Sequence, residues 1–203
     1  MHYAGAPWLV RESREREEEP DKLIGALGVE RGQTVCDLGC GNGFYALRLA
    51  PLVAPTGRVL AVDIQREMLE LLRERARARS VPGIKTIRGR VNDPRLPEAE
   101  IDLVLLVDVY HEFSHPVAML EAIHTGLKPT GRVALVEFRA EDRSVPIKPL
   151  HKMTQAQCLR EFEANGFQLV GQFDGLPWQH VLFFARDDSP LPRAELTPWD
   201  DGE

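Results

Sequence analysis

A glycine-rich turn between a strand and a helix, together with an acid after the next strand, marks the first candidate site. The turn reads Asp37-Leu38-Gly39-Cys40-Gly41-Asn42-Gly43, and Asp63 ends the strand RVLAVD. Glycines at such a turn let the backbone approach a ligand closely and direct the amides of the helix N-terminus towards it. An acid after strand two can hydrogen-bond to ribose hydroxyls. The pattern therefore predicts a site for a ligand that contains a ribose.

Two common phosphate-binding patterns are absent from this turn. A dinucleotide fingerprint, G-x-G-x-x-G, needs its third glycine at position 44, where the chain has Phe44. No Gly-Lys-Ser/Thr follows, so the turn is not a P-loop. The residue at position 44 disfavours a nicotinamide-dependent reductase.

The elements that position this turn alternate in kind along the chain. Apolar runs typical of strands (TVCDLG, RVLAVD, IKTIRG, IDLVLLVD and RVALVEF) alternate with helical patterns at 44–52, 66–79 and from Pro116 to a turn at 128–131. This alternation predicts βαβ units and a parallel sheet in a three-layer α/β sandwich. The strands FQLVGQF and HVLFFAR are separated only by DGLPWQ, too short for a crossover, so they must be antiparallel.

The termini differ in composition from the body of the chain. We expect residues 1–20 to form an arm whose apolar Trp8-Leu9-Val10 segment folds back onto the domain. Residues 21–186 form the single domain. Residues 187–203 are rich in proline and acids, and we expect this tail to be disordered because it has too little apolar content to pack.

Composition limits the possible partners and location. The chain has 203 residues, a length typical of one domain, and a formal net charge of −6. An acidic chain is a poor binder of phosphate backbones, so no nucleic-acid partner is expected. The longest apolar stretch of the most hydrophobic region, 103–107, is far shorter than the ~20 residues that span a bilayer. No secretory signal is visible, and the three cysteines suit reduced thiols, so we expect a cytoplasmic protein; its oligomeric state is left open.

Several segments together resemble the class I S-adenosylmethionine-dependent methyltransferases. VCDLGCGNGFYALRLA is similar to their first motif, VLAVDI to their second, VNDPRLP and IDLVLLVDVYHEF to their third and fourth, and LKPTGRVALVEF to the strand-five segment. The resemblance covers residues 20–186. It implies a Rossmann-like, mostly parallel, seven-stranded sheet in the order 3-2-1-4-5-7-6 with an antiparallel last strand. Within the family the chain resembles the small-molecule enzymes that include quinone-ring methyltransferases.

The resemblance also implies S-adenosylmethionine as the cofactor, S-adenosylhomocysteine as its product, and a set of cofactor-binding residues. Asp37 would face the ammonium group, Asp63 the ribose hydroxyls, and Asn92 or Asp93 the adenine amino group. Ile64 and Met68 would lie beside the adenine, and Asp108 would be on the cofactor side of strand four. The full set is Asp37, Gly39, Cys40, Gly41, Asn42, Gly43, Asp63, Ile64, Met68, Asn92, Asp93 and Asp108.

The C-terminal edge of the sheet carries the candidate acceptor residues. Strand four delivers Tyr110 and His111, the loop after strand five carries His151, and the last hairpin turns at the same edge with His180. His111 or Tyr110 is a candidate general base or an orienting group for the acceptor. Alternatively, this edge holds a divalent metal ion, or its histidines only pack against the loops. The metal alternative draws its ligands from Asp108, His111, Glu137, His151 and His180.

We therefore expect an enzyme that transfers a methyl group from S-adenosylmethionine to a small-molecule O, N or C nucleophile. The arm and the 139–153 loop would close over the acceptor. The base N-methyltransferase signature Asn-Pro-Pro-Tyr/Phe is replaced by DVYH, which disfavours amino groups of nucleic acids. The alternatives are metal-assisted methyl transfer and a regulatory module that binds the cofactor without turnover.

Overall fold

The structure is a computed structural model that describes residues 3–200; the ends of the predicted arm (1–2) and tail (201–203) lie outside the described residues. Six α-helices are described, together with short 3-10 helices at Tyr3–Val10, Tyr110–Glu112 and Pro149–His151. The α-helices are α1 (Arg14–Glu18), α2 (Pro20–Leu27), α3 (Ala46–Val53), α4 (Arg66–Ala78), α5 (Pro116–Gly126) and α6 (Gln155–Glu163). The strands are β1 (Thr34–Leu38), β2 (Arg58–Asp63), β3 (Ile84–Arg88), β4 (Ile101–Val107), β5 (Leu127–Arg139), β6 (Lys152–Met153), β7 (Phe167–Phe173) and β8 (Gln179–Arg186).

The strands form one mixed sheet in the order β3-β2-β1-β4-β5-β8-β7, with β6 paired to the end of β5. The neighbours from β3 to β5 are parallel, whereas β8 runs antiparallel to both β5 and β7. With β6 set aside, this is the predicted seven-strand order, and the predicted three-layer Rossmann-like fold is confirmed. The pattern did not predict β6, which consists of two residues and has no periodicity of its own.

The central strand shows why the sheet is covered on both faces. On β4, Leu103 and Leu105 face one buried cluster, which includes residues of α2, α3 and α4. Val104 and Leu106 face the other cluster, which includes residues of α5 and α6. Each fully buried side chain of this kind stabilises the fold by roughly 1.5–3 kcal/mol. The two apolar faces thus fix β4 in the middle of the sheet, and its C-terminal end opens at one edge.

Strand β5 begins earlier than its sequence pattern predicts. The predicted turn at 128–131 lies within β5, which pairs with β4 across a register shift between Ile101 and Leu103. At Gly131 a Cβ atom would lie 2.6 Å from the Ile101 carbonyl oxygen, so the glycine lets the two backbones approach at this irregularity.

The N-terminal arm folds back onto the C-terminal edge of the sheet, as predicted. The amide of Asn42 donates a hydrogen bond to the Ala6 carbonyl oxygen over 2.9 Å. The Arg14 guanidinium lies 4.0 Å from the centre of the Phe44 ring, a cation–π contact. The arm thereby brings Trp8 and Leu9 into the lining of a cleft, with Leu9 against Gly41 of the glycine-rich turn.

The expected disorder of the tail is wrong for residues 187–200. The Ala194 N–H donates to the Leu169 carbonyl oxygen over 2.8 Å, and Leu196 packs against the core. The Trp199 ring covers the buried Arg139 guanidinium at 3.7 Å. Composition failed here because edge backbone groups and one aromatic ring hold the tail, rather than an apolar face of its own. None of the described helices has the length and apolar character needed to cross a bilayer.

Candidate active site

A cleft opens beyond the C-terminal ends of β1, β2 and β4, where parallel α/β sheets bind their ligands. Its floor is the turn after β1, its sides are the ends of β2 and β4 with the loop after β3, and its roof is the arm. The residues that line it include Trp8, Leu9, Arg14, Gly39, Gly41, Asp63, Ile64, Met68, Val91, Val109 and Phe113.

The glycines of the turn have two different roles. All three have positive φ, +81° at Gly39, +51° at Gly41 and +85° at Gly43. Gly39 and Gly41 line the cleft, and a Cβ on Gly39 would lie 2.4 Å from Val109 Cγ2. Gly43 lies outside the lining, and its Cβ would lie 2.1 Å from Leu72 Cδ1 on α4. Gly43 therefore serves the packing of α4 against the turn.

Two other residues of the turn hold its shape. The Asn42 side-chain oxygen accepts a hydrogen bond from Arg75 over 2.9 Å, and its amide holds the arm. The buried Cys40 thiol donates to the Gly41 carbonyl oxygen over 3.6 Å. Neither side chain is in the lining of the cleft, so the structure gives Cys40 and Asn42 supporting positions.

Asp63 joins β2 to the turn. Its Oδ2 accepts from the Gly41 N–H over 2.9 Å and its Oδ1 from the Gln65 N–H over 2.8 Å. Burial raises the pKa of Asp63, although these backbone hydrogen bonds oppose the shift. Each carboxylate oxygen can accept more than one hydrogen bond, so both remain able to accept ribose hydroxyls. Ile64 and Met68, which the resemblance assigns to the adenine, also line the cleft.

The loop after β3 differs from what the resemblance implied. Asn92 is exposed, and neither it nor Asp93 belongs to the lining. A tight turn in which the Arg90 N–H donates to the Asp93 carbonyl oxygen over 2.7 Å directs both side chains away from the cleft. Arg90 and Val91 line the cleft instead. The only sequence signal for this wall was an apolar residue, Val91, just before the turn-forming Asn92-Asp93-Pro94.

Two buried carboxylates lie beneath the arm; Asp108 belongs to the lining of the cleft, whereas Asp37 does not. Within the described residues, Asp37 Oδ2 and Asp108 Oδ1 have no hydrogen-bond partner. Burial raises the pKa of Asp37 to about 7, with Arg14 lowering it and Asp63 raising it by their charges. Burial also raises the pKa of Asp108, which accepts from Gln179 through its other oxygen over 2.8 Å. Asp108 adopts a strained positive φ of 50°, consistent with a functional position.

These orphaned oxygens define what the cleft can hold. An unpaired buried carboxylate is costly, and a cation relieves that cost. A phosphate group would find acidic side chains, Asp63 and Asp108, in the lining of this cleft. A cationic ligand with a ribose, the chemistry of S-adenosylmethionine, therefore fits these residues.

A histidine in the loop after β4 forms a pair with a carboxylate on β5. His111 Nδ1 is 2.6 Å from Glu137 Oε2, and the fully buried Glu137 also accepts from the Tyr110 N–H over 2.9 Å. Burial opposes protonation of His111, yet the hydrogen bond and charge of Glu137 raise its pKa. His111 Nε2 lies 3.0 Å from His151 Nδ1. The structure thus brings together two of the four predicted catalytic residues.

The other two predicted catalytic residues are withdrawn from this edge. The Tyr110 hydroxyl donates to Glu161 over 2.8 Å, and burial together with that carboxylate raises the pKa of Tyr110 well above its usual value. His180 is fully buried, with Nε2 3.8 Å from Cys158 Sγ, and burial lowers its pKa to about 3. The prediction that His180 faces the edge is wrong because the register of β8 directs its side chain beneath α6.

Three comparisons with known proteins, by family model, by sequence and by structure, all relate this chain to methyltransferases. A family model described as a methyltransferase domain matches residues 29–180. The chain is 33% identical over 135 residues to the ubiquinone/menaquinone biosynthesis C-methyltransferase UbiE of Citrobacter koseri, covering 66% of this chain and 52% of that protein. It is 32% identical over 153 residues to the UbiE protein of Escherichia coli, covering 74% and 59%.

A solved structure agrees on the fold. The chain superposes on a SAM-dependent methyltransferase from Aquifex aeolicus with a TM-score of 0.84 and 23% identity, covering 91% of this chain and 98% of that one. In contrast, the chain spans just over half the length of the curated relatives it matches.

Proposed function

The chain belongs to the class I S-adenosylmethionine-dependent methyltransferases, and on that premise we propose that it methylates a small-molecule acceptor held beside His111. Membership makes it an enzyme that uses S-adenosylmethionine. The observation that carries the proposal lies in the loop after β4. This loop places Asp108 and Glu112 in the lining of the cleft, and the 3-10 turn that contains Glu112 also sets His111 against Glu137.

The cleft would bind the cofactor through two of its groups, the ammonium group and the ribose. Asp63 would hold the ribose hydroxyls, and Asp108 and Asp37, whose buried oxygens lack partners, would supply negative charge for the ammonium group. Gly39 and Gly41 keep the backbone close enough for this contact. When bound, S-adenosylmethionine supplies an electrophilic methyl group on a sulfonium, with a neutral thioether as the leaving group. The arm covers this end of the cleft and excludes water from it.

Alignment supplies much of the acceleration in an in-line displacement, about 7–11 kcal/mol where two reactants are held in near-attack geometry. Phe113 and Phe138 line the cleft near the loop after β4 and suit a flat ring. The UbiE relatives are described as C-methyltransferases of quinone biosynthesis. We therefore assign the acceptor to the electron-rich hydroxylated aromatic rings.

His111 supplies the lone pair that activates such an acceptor. Glu137 accepts a hydrogen bond from Nδ1–H, which fixes the tautomer and leaves the lone pair on Nε2, the nitrogen that faces His151 Nδ1. Loss of the hydroxyl proton makes the oxygen and the adjacent ring carbon nucleophilic. The same pair thus serves O- and C-methylation. The absence of a nucleic-acid partner and a cytoplasmic location stay predictions.

Methyl transfer from tritiated S-adenosylmethionine tests this proposal directly. The acceptors are a hydroxylated naphthalene or benzene ring, a matched ring without the hydroxyl, and an aliphatic amine. We expect label in the hydroxylated ring alone, and a His111→Gln variant that loses about 10²-fold or more of this rate. Transfer to the amine, or equal transfer to the ring without the hydroxyl, contradicts the assignment of the acceptor.

A further inference from the structure

The contacts of His151 point to a role other than that of a general base. His111 Nε2 and His151 Nδ1 face each other across 3.0 Å, from the 3-10 turns that follow β4 and β5. A carboxylate oxygen of Glu112 completes a group in which all ligating atoms lie within 4.8 Å of one another. We propose that His111, Glu112 and His151 bind a divalent first-row transition-metal ion at the mouth of the cofactor cleft.

The donor types support this assignment. Two imidazole nitrogens and one carboxylate oxygen are ligands that Zn²⁺, Fe²⁺ and Mn²⁺ accept. Three protein ligands leave at least one coordination position for an exogenous oxygen, as in catalytic rather than structural zinc sites.

The surroundings of His111 match a metal ligand. Ligating histidines commonly donate their second ring N–H to a carboxylate, which fixes the ring and makes the ligating nitrogen more basic. Glu137 holds this position, at 2.6 Å from Nδ1, and its side chain is fully buried. Its place is fixed because it also accepts from the Tyr110 N–H over 2.9 Å.

Charge and location agree with a cation here. Glu112 lines the cofactor cleft, so an ion bound to it borders the path by which the acceptor enters. The lysine next to His151 is directed elsewhere, because Lys152 Nζ donates to the Asp142 carbonyl oxygen over 3.1 Å. With the ion on its Nε2, His111 would be a ligand and no longer the base, and the ion would take over the activation of the acceptor, because a hydroxyl bound to it would lose its proton more readily. This catalytic role rests on the proposed function, whereas the binding of the ion does not.

A direct measurement of metal binding tests the site separately from the catalytic role of the ion. The full chain, freed of metal with EDTA and dialysed, is titrated with Zn²⁺ by calorimetry, and with Co²⁺ by its visible absorption. We expect one site, weakened at least tenfold in His151→Ala and about 10–100-fold in Glu137→Gln. The matched control is His115→Ala, an exposed histidine outside the group, which should bind as the parent does.

Several results would overturn the metal site. These are no Zn²⁺ binding at micromolar concentrations, binding that survives His151→Ala, and binding lost instead in His124→Ala. The last variant tests the other candidate group, His124 with Asp187 and Asp188. Full methyl transfer by the EDTA-treated protein overturns the catalytic role of the ion while leaving the proposed function intact. Loss of transfer that Zn²⁺, Mn²⁺ or Fe²⁺ restores supports both.

Discussion

Asp63 Oδ2 accepts a hydrogen bond from the Gly41 N–H over 2.9 Å, so the acid at the end of β2 and the turn after β1 form one unit. The carboxylate therefore has two duties, to hold the backbone of the turn and to bind the ribose. A substitution of Asp63 should therefore weaken cofactor binding in two ways, by loosening the turn and by removing the acceptors for the ribose hydroxyls.

We expect Asp63→Ala to weaken S-adenosylhomocysteine binding by about ten- to a hundredfold, the loss typical of hydrogen bonds to a charged group. Calorimetric titration measures the affinity. Asn92→Ala is the control, because Asn92 is exposed and outside the cleft lining. An Asn92→Ala effect as large as that of Asp63→Ala would show that Asn92 belongs to the cofactor site.

The glycine that packs α4 should affect stability. Gly43→Ala places a Cβ 2.1 Å from Leu72 Cδ1 in a backbone with φ of +85°. The strain of the positive φ and the crowding together should lower the free energy of unfolding by about 1–4 kcal/mol. The control is Gly25→Ala on α2, where a Cβ meets nothing within 4 Å and alanine favours the helix. Urea unfolding measures both, and equal midpoints for the two variants would contradict this role.

Cofactor binding should release a proton below neutral pH. The pKa of Asp37 is raised to about 7 by burial, so its carboxyl is mostly protonated at about pH 6 in the free protein. The cofactor's ammonium favours the carboxylate, so affinity should rise as the pH increases towards 7 and change little above it. For folding the sign is opposite: a raised acid pKa favours the native state at low pH, and this contribution is lost as the pH rises through 7.

Calorimetry of S-adenosylhomocysteine binding at about pH 6, in two buffers of different ionisation enthalpy, counts the protons. We expect nearly one proton released by the parent and much less by Asp37→Asn. Equal release by both proteins would assign the proton to another group.

The ordered tail gives a further test. Trp199→Ala removes the ring that covers the Arg139 guanidinium at 3.7 Å. A desolvated cation–π contact and the buried ring area together predict a loss of about 1–3 kcal/mol in the free energy of unfolding. Leu150→Ala is the matched control because Leu150 is 88% exposed. An unchanged unfolding midpoint for Trp199→Ala would mean that the tail contributes nothing to the fold.

Much of the fold could be predicted because its signals are local. The alternation of apolar runs with helical patterns gave the parallel strands, and the short link before β8 required an antiparallel pair. The N-cap of α6 was also readable, since Thr154 Oγ1 accepts from the Gln157 N–H over 3.1 Å. Gly39, Gly41 and Asp63, which the sequence predicted for the cofactor site, line the cleft because they lie at or just after the ends of strands that the sheet fixes.

The errors concern side-chain direction and long-range contact. Whether His180 faces the edge or the core depends on the register of β8 against β5, where it pairs with Glu137. Asn-Asp-Pro predicts the turn that contains Asn92, but it does not specify which way the Asn92 side chain points. The contact of Trp199 with Arg139 joins distant segments, and no local pattern reports it.

The most direct test separates the two halves of the site. Asp63→Ala and His111→Gln are each measured for S-adenosylhomocysteine affinity and for methyl transfer to a hydroxylated ring at saturating cofactor. The account predicts that Asp63→Ala loses affinity, whereas His111→Gln keeps affinity within about twofold and loses about 10²-fold or more in rate. A His111→Gln enzyme that transfers methyl groups at the parent rate, or an Asp63→Ala protein with undiminished affinity, would contradict it.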